Sequence, residues 1–321
     1  MIKRHPVVSF IALAYLITWP FWILGFVLAE RAGAAIGNED NFHHLSDLLT
    51  GSLAADRLVA LLVYYLGQFG PVLSAFIVTA VIYGGAGVRD LAARVLRWRV
   101  PPRWYLAVLV LPLLLVVVCL AAAFVTGGFK VGPFSPKVAW VSFVPFVLYM
   151  VVFTGLAEEP GWRGFALPHL QADRTAIRSS WILGLLWGVW HVPFLVYFNR
   201  DQPLVLIPAL IGALLGIVGW TIVNTWVYNN TESVFLIILL HGWNGAVQSY
   251  LVLSQPNPLA WSLYSIVPWA IAAYLSRRYG GEDLGDAPRP KWWPGRFSTE
   301  QRGDAGRADL PAQAALPRLR P

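Results

Sequence analysis

The sequence predicts an all-α protein, a polytopic membrane bundle of about eight transmembrane helices with both termini cytoplasmic. Three observations predict it. Of 321 residues, 57% are hydrophobic and 13% are charged, where soluble domains carry roughly a quarter charged. The apolar residues gather into stretches of about 20, the length that crosses a hydrocarbon core. The lysines and arginines gather in alternate connections, as they do when cytoplasmic loops retain positive charge.

In chain order the apolar stretches are 7–28, 58–83, 105–126, 140–157, 181–198, 204–228, 233–254 and 259–275. The first contains Trp19, Pro20 and Trp22 and no small-residue cleavage site, so it reads as a retained span and not a signal peptide. With the N-terminus inside, twelve basic residues, among them Lys3, Arg4, Arg89, Arg94, Arg163 and Arg178, fall on the cytoplasmic side. Five, namely Arg31, Arg57, Lys130, Lys137 and Arg200, fall on the other. Segment 88–100 alternates arginine with Leu, Val and Trp and is expected to lie in the interface with its arginines toward headgroups. Residues 1–279 form the membrane domain, and 280–321 are expected to be a disordered cytoplasmic tail, with Trp292 and Trp293 as interfacial anchors.

Composition also excludes. The net charge of +7 follows the topology and does not call for nucleic acid. The one cysteine, Cys119, lies in an apolar run and reads as a small buried hydrophobe; it rules out an internal disulfide and a cysteine-based metal cluster. There is no strong internal repeat of the kind transporters carry and no glycine-rich phosphate loop.

Ionisable groups inside apolar runs carry a cost of roughly 2.5–3.5 kcal/mol on insertion scales, which makes them functional candidates. Three clusters qualify. The run Glu158-Glu159-Pro160-Gly161-Trp162-Arg163, expected at the cytoplasmic end of the fourth span, sets two carboxylates beside an arginine one turn on. Arginine can hold one carboxylate ionised and leave the other for proton transfer; an ion-pair cluster ending a helix is the plainer reading. The run Trp187-Gly188-Val189-Trp190-His191 puts His191 about 15 Å from the cytoplasmic edge, with Gly184 and Gly188 on its face. Pro193 is expected to kink that helix. His241-Gly242-Trp243-Asn244 puts His241 about 12 Å deep, with Asn244 one turn further on. Each histidine alone could serve only as a hydrogen-bond link between helices. Together, Glu158, His191 and His241 share the cytoplasmic half, as one wet cavity opening to the cytoplasm would require. They could bind a divalent metal, zinc being the expected ion, or act without one, Glu158 as base and the histidines and Asn244 as donors. Both options stay open.

This order of motifs, Glu-Glu-x-x-x-Arg, then aromatic-x-x-x-His, then a late His with a nearby Asn, resembles the CPBP family of intramembrane proteases over about residues 140–250. That family holds the type II CAAX prenyl endopeptidases and bacteriocin-processing or immunity proteins. The resemblance implies a glutamate-activated water and assigns the essential glutamate to Glu158, with Glu159 and Arg163 completing the first motif. His191 and His241 match the second and last histidines. Asn244 departs from the pattern, lying three residues after His241 where the family usually has four. The resemblance does not fix the substrate; the basic, Trp-rich composition and proline-rich tail suggest a bacterial inner membrane, and a peptide or membrane-protein substrate cut near the cytoplasmic face is expected. A non-catalytic immunity or chaperone-type protein binding peptides in the same cavity is the alternative, and a proton-coupled transporter stands third. His5, His43, His44, His169 and Asn224 are not assigned to the site; Gly212 and Gly216 read as helix packing.

Overall fold

The computed structural model describes residues 2–128, 138–253 and 257–287. Among them there is no strand, and the protein is an all-α polytopic bundle. The helices are α1 (Pro6–Arg31), α2 (Asn38–Thr50), α3 (Ala55–Gln68), α4 (Gly70–Val95) and α5 (Pro102–Val125). They continue with α6 (Trp140–Leu170), α7 (Ala176–Trp190), α8 (Val192–Asn199), α9 (Pro203–Thr231), α10 (Val234–Val252) and α11 (Pro258–Tyr279). Among the described residues seven are long and apolar enough to span a membrane, and α7 with α8, bent by 46°, are so when taken together.

Local chemistry sets the boundaries. Proline opens α1, α5, α9 and α11, where its missing N–H has no helical partner to lose. Thr175, Ser233 and Asn257 cap α7, α10 and α11 by accepting from backbone N–H groups. Between α9 and α10 the chain reverses at Glu232, which takes a left-handed conformation (φ 52°) and pairs with Arg97 at 2.9 Å.

The spans alternate between two faces. One carries the chain start, the α4–α5 and α6–α7 connections and the end of α11. Here Ser233 Oγ donates to the Arg97 carbonyl (2.6 Å) and Ala176 N–H to the Glu282 carbonyl (2.7 Å). We call this the basic face. The other carries α2, where Arg200 pairs with Glu30 at 2.9 Å and Asn257 donates to Thr126 at 2.8 Å.

Several expectations need correction. The apolar stretch 58–83 is kinked at Phe69, where α3 ends at Gln68 and α4 begins, and α4 has a second break at Gly84 (φ 61°). The fourth span does not end at 157 but continues to Leu170, placing Glu158 well inside a helix. Segment 88–100 does not turn all its arginines outward. Arg94 is 2% exposed and bonds Asp90, the Gly164 carbonyl and the Tyr228 hydroxyl. The Gly164 carbonyl is available because the residue four positions on is Pro168, which has no N–H to give it. At the start of the expected tail, residues 281–286 are tied down: Asn229 donates to the Asp283 carbonyl (2.6 Å), and Asp286 N–H to Asn230 (2.8 Å). The remainder, with Trp292 and Trp293, lies outside the described residues, as do Lys130 and Lys137.

The α6–α10 crossing holds the site together and depends on glycine. A Cβ at Gly242 would stand 2.5 Å from the Val151 Cα, and one at Gly155 would stand 2.4 Å from the Ile238 carbonyl oxygen. Without a hydrophobic drive between helices in lipid, such close approach is what holds them. Gly242→Val should therefore cost about 1–3 kcal/mol through overpacking and lower the thermal unfolding midpoint in detergent. Gly212→Ala, where an added Cβ meets nothing nearer than Ser265 Oγ at 3.9 Å, should leave it unmoved. Equal midpoints for both variants would contradict this account.

Candidate active site

Adjacent residues on a helix point about 100° apart, so Glu158 and Glu159 face different neighbours. The helix around them is irregular. Wide π-turns at Val151–Leu156 and Trp162–Ala166 flank the pair, and Pro160 cannot donate to the carbonyl four residues back. π-turns shift the phase of the side chains that follow.

Glu159 and Arg163 are both fully buried and form an ion pair in which one guanidinium nitrogen reaches both carboxylate oxygens, at 2.9 and 3.1 Å. Arg163 also donates to Thr221 Oγ1 (3.2 Å) and lies over the Trp187 ring, 4.2 Å from its centroid. His241 donates from Nδ1 to the same carboxylate at 2.7 Å. Glu159 is thus occupied on all sides, and neither it nor Arg163 lines the cavity described below.

Glu158 is held differently. Gln68 donates to its Oε1 at 3.0 Å and Trp187 to its Oε2 at 2.8 Å. Both donors are neutral, and the carboxylate faces open space. The bend between α7 and α8 places His191. Its backbone N–H bonds Gly188 in place of the Trp187 carbonyl, and its own Nδ1 donates to that freed carbonyl at 2.8 Å. Trp187 therefore holds Glu158 through its indole and His191 through its backbone. On α10, the Tyr264 hydroxyl donates to Asn244 Oδ1 at 2.6 Å, leaving the amide nitrogen for a ligand.

Glu158, His191, His241 and Asn244 line one cavity of about 330 Å³. The three-residue step from His241 to Asn244 keeps both on one helix face. Sequence reasoning missed Gln68, Tyr264 and the bridging role of Trp187; a polar residue inside the 58–83 apolar run was the available signal for Gln68. Asn224, read as a helix–helix link, lines the cavity and is 4% exposed. His169 is not at the cavity but bonds Tyr83 and the Phe165 carbonyl.

The metal expectation does not fit this geometry. Among the described residues no three His, Cys, Asp or Glu side chains converge as metal ligands. No step below is routed through a metal.

The cavity extends from the site toward one face of the bundle. Its lining reaches Asn38 at the start of α2 and Leu253 at the end of α10, both on the α2 face. Toward the basic face it stops at Asn224 and His241, beyond which Phe10, Leu91, Trp162 and Phe165 pack with at most 1% exposure.

Removing one member of a buried ion pair strands the other, a loss of about 3–5 kcal/mol. Arg163→Ala should therefore unfold well below the parent in detergent melts, and pairing it with Glu159→Leu should recover much of the difference. A single variant as stable as the parent would refute the buried pair.

Residues 140–247 match the sequence profile described as type II CAAX prenyl endopeptidase Rce1-like. A curated relative from Methanococcus maripaludis, CAAX prenyl protease 2, is 29% identical over 121 residues, covering 36% of this chain and 44% of the relative. The match thus spans less than half of that protein's length. Over α6 to α10, which carry Glu158, His191, His241 and Asn244, this chain is similar to the type II CAAX prenyl endopeptidases.

Proposed function

We propose that the chain is an intramembrane endopeptidase in which Glu158 activates the water that attacks a peptide carbonyl. The observation that carries this reading is a carboxylate inside a membrane bundle, fixed by two neutral donors and facing a cavity shared with two imidazoles and an amide. A general base needs a positioned carboxylate that is not consumed by a cation. Arg163 is the nearby cation, and it is committed to Glu159.

In the proposed reaction Glu158 takes a proton from water as the oxygen bonds to the scissile carbonyl carbon. His191, on the same wall through Trp187, accepts the water's other hydrogen at Nε2 and orients it. The carbonyl oxygen becomes an oxyanion. His241, with Glu159 as its counter-ion, donates to it from Nε2, and Asn244 donates from its amide. The oxyanion then reforms the carbonyl as the C–N bond breaks and the proton on Glu158 passes to the leaving nitrogen, yielding a carboxylic acid and an amine. In this scheme Glu159 and Arg163 are positioning residues, acting through His241 and the α6 backbone. The relative's printed name points to CAAX peptides; the cavity walls call only for an uncharged stretch of peptide.

Glu158→Gln should lower turnover of a reporter peptide by about 10²–10⁴ with an unchanged melting curve and retained peptide binding. Turnover at the parental rate would end the protease reading. No turnover in the parent itself, with binding intact in both proteins, would favour the non-catalytic alternative. Trp187→Phe keeps the ring but removes one hydrogen bond to a charged group, about 1.5–3 kcal/mol, and should reduce kcat more than it changes KM. Turnover should survive exhaustive dialysis against a chelator; its loss, with rescue by zinc, would restore the metal mechanism.

A further inference from the structure

A side-chain amide carries a donor at one end and an acceptor at the other. Half a turn about its last torsion exchanges them. An asparagine in a cavity wall therefore serves as a donor only where a neighbour fixes which end faces inward. On α10 the residues beside Asn244 cannot do this: Gly242 and Gly245 have no side chain, and Trp243 donates to the Leu109 carbonyl at 3.0 Å. Gly245 also lines the cavity, and a Cβ there would stand 2.6 Å from the Met150 terminal methyl. The amide comes from position 244 instead, and its orientation is set from another helix.

That helix is α11. The Tyr264 hydroxyl lies 2.6 Å from Asn244 Oδ1 and 3.3 Å from the Asn244 backbone carbonyl oxygen. The backbone carbonyl already accepts the Gln248 N–H. The one phenolic hydrogen goes to the nearer, side-chain oxygen. Tyr264 is 4% exposed and packed in the apolar core, where a phenol needs a partner for its hydroxyl. With Oδ1 held, Nδ2 is the end of the amide left for the cavity that both residues line. Tyr264 lies beyond the matched residues 140–247, so α11 supplies a contact the matched segment does not contain.

We infer that Tyr264 is a positioning residue: it locks the Asn244 amide with its N–H groups toward the reacting carbonyl, and α11 thereby completes the site. That the amide meets an oxyanion rests on the protease reading; that Tyr264 sets its orientation does not.

The test is a double-mutant cycle on turnover of the reporter peptide by the full chain in detergent. Asn244→Ala should lower kcat by about 10²–10³, the usual loss of an oxyanion donor. Tyr264→Phe should lower kcat by about 10–100-fold and leave KM within about twofold. In the Asn244→Ala background Tyr264→Phe should change kcat by less than about twofold, because a residue acting through another has no effect once that other is gone. Equal losses in both backgrounds would show a structural role and overturn the inference, as would an unchanged kcat in Tyr264→Phe alone. Asn244→Asp keeps the acceptor for Tyr264 and replaces the N–H groups by oxygen. It should lose as much as Asn244→Ala, and parental turnover would show that no donor is needed there. It decides the case even if Tyr264→Phe fails to fold.

A second readout needs no activity. In protein labelled with 15N at asparagine, the Asn244 side-chain amide signal is identified by its loss in Asn244→Ala. Tyr264→Phe should shift and broaden it as the amide begins to flip; a superimposable signal would refute the hold. Absence of turnover in the parent would sink the protease reading alone, and this spectrum would still decide the role of Tyr264.

Discussion

Two neighbouring carboxylates in a membrane-embedded bundle are the constraint around which the rest is arranged. Charge in such surroundings is tolerated only when paired or hydrogen-bonded, and two carboxylates side by side repel. The fold resolves this by treating them unequally. Glu159 receives Arg163 and His241 and is sealed from the cavity. Glu158 receives only the N–H groups of Gln68 and Trp187 and faces the open space. One carboxylate is spent on architecture so that its neighbour can remain available for chemistry.

That division depends on backbone departures from the regular α-helix. The π-turns around Pro160 set the phase of α6. The bend at His191 releases the Trp187 carbonyl, which then fixes the imidazole. Pro168 releases the Gly164 carbonyl, which Arg94 claims. In each case a backbone group that would be costly to leave unpaired in lipid is satisfied by a side chain that thereby becomes positioned. The irregularities and the functional residues are parts of one arrangement.

Close packing and hollowness are likewise linked. Aromatic rings fill the layer beneath the site, and glycine contacts lock α6 to α10. Rigid support of this kind holds polar side chains at fixed spacing, while the opposite half leaves room for a ligand.

Much of this could be read directly from the chain. Apolar stretches of spanning length compel helices, since lipid leaves backbone groups no other partner. Ionisable residues inside such stretches, Glu158, His191 and His241 above all, advertise themselves by their cost. Other features could not be read, because hydropathy is a sum over neighbours in sequence and carries no knowledge of neighbours in space. The stretch 58–83 has the same apolar content whether it is one helix or is broken at Phe69. Gln68 becomes a ligand of Glu158 only because the break ends α3 beside α6. Arg94 counts as a cytoplasmic charge until Tyr228 and Gly164 are seen to bury it. The facing of the cavity, and the choice of Glu159 over Glu158 by Arg163, arise from which helix faces meet, and those contacts exist only in the assembled bundle.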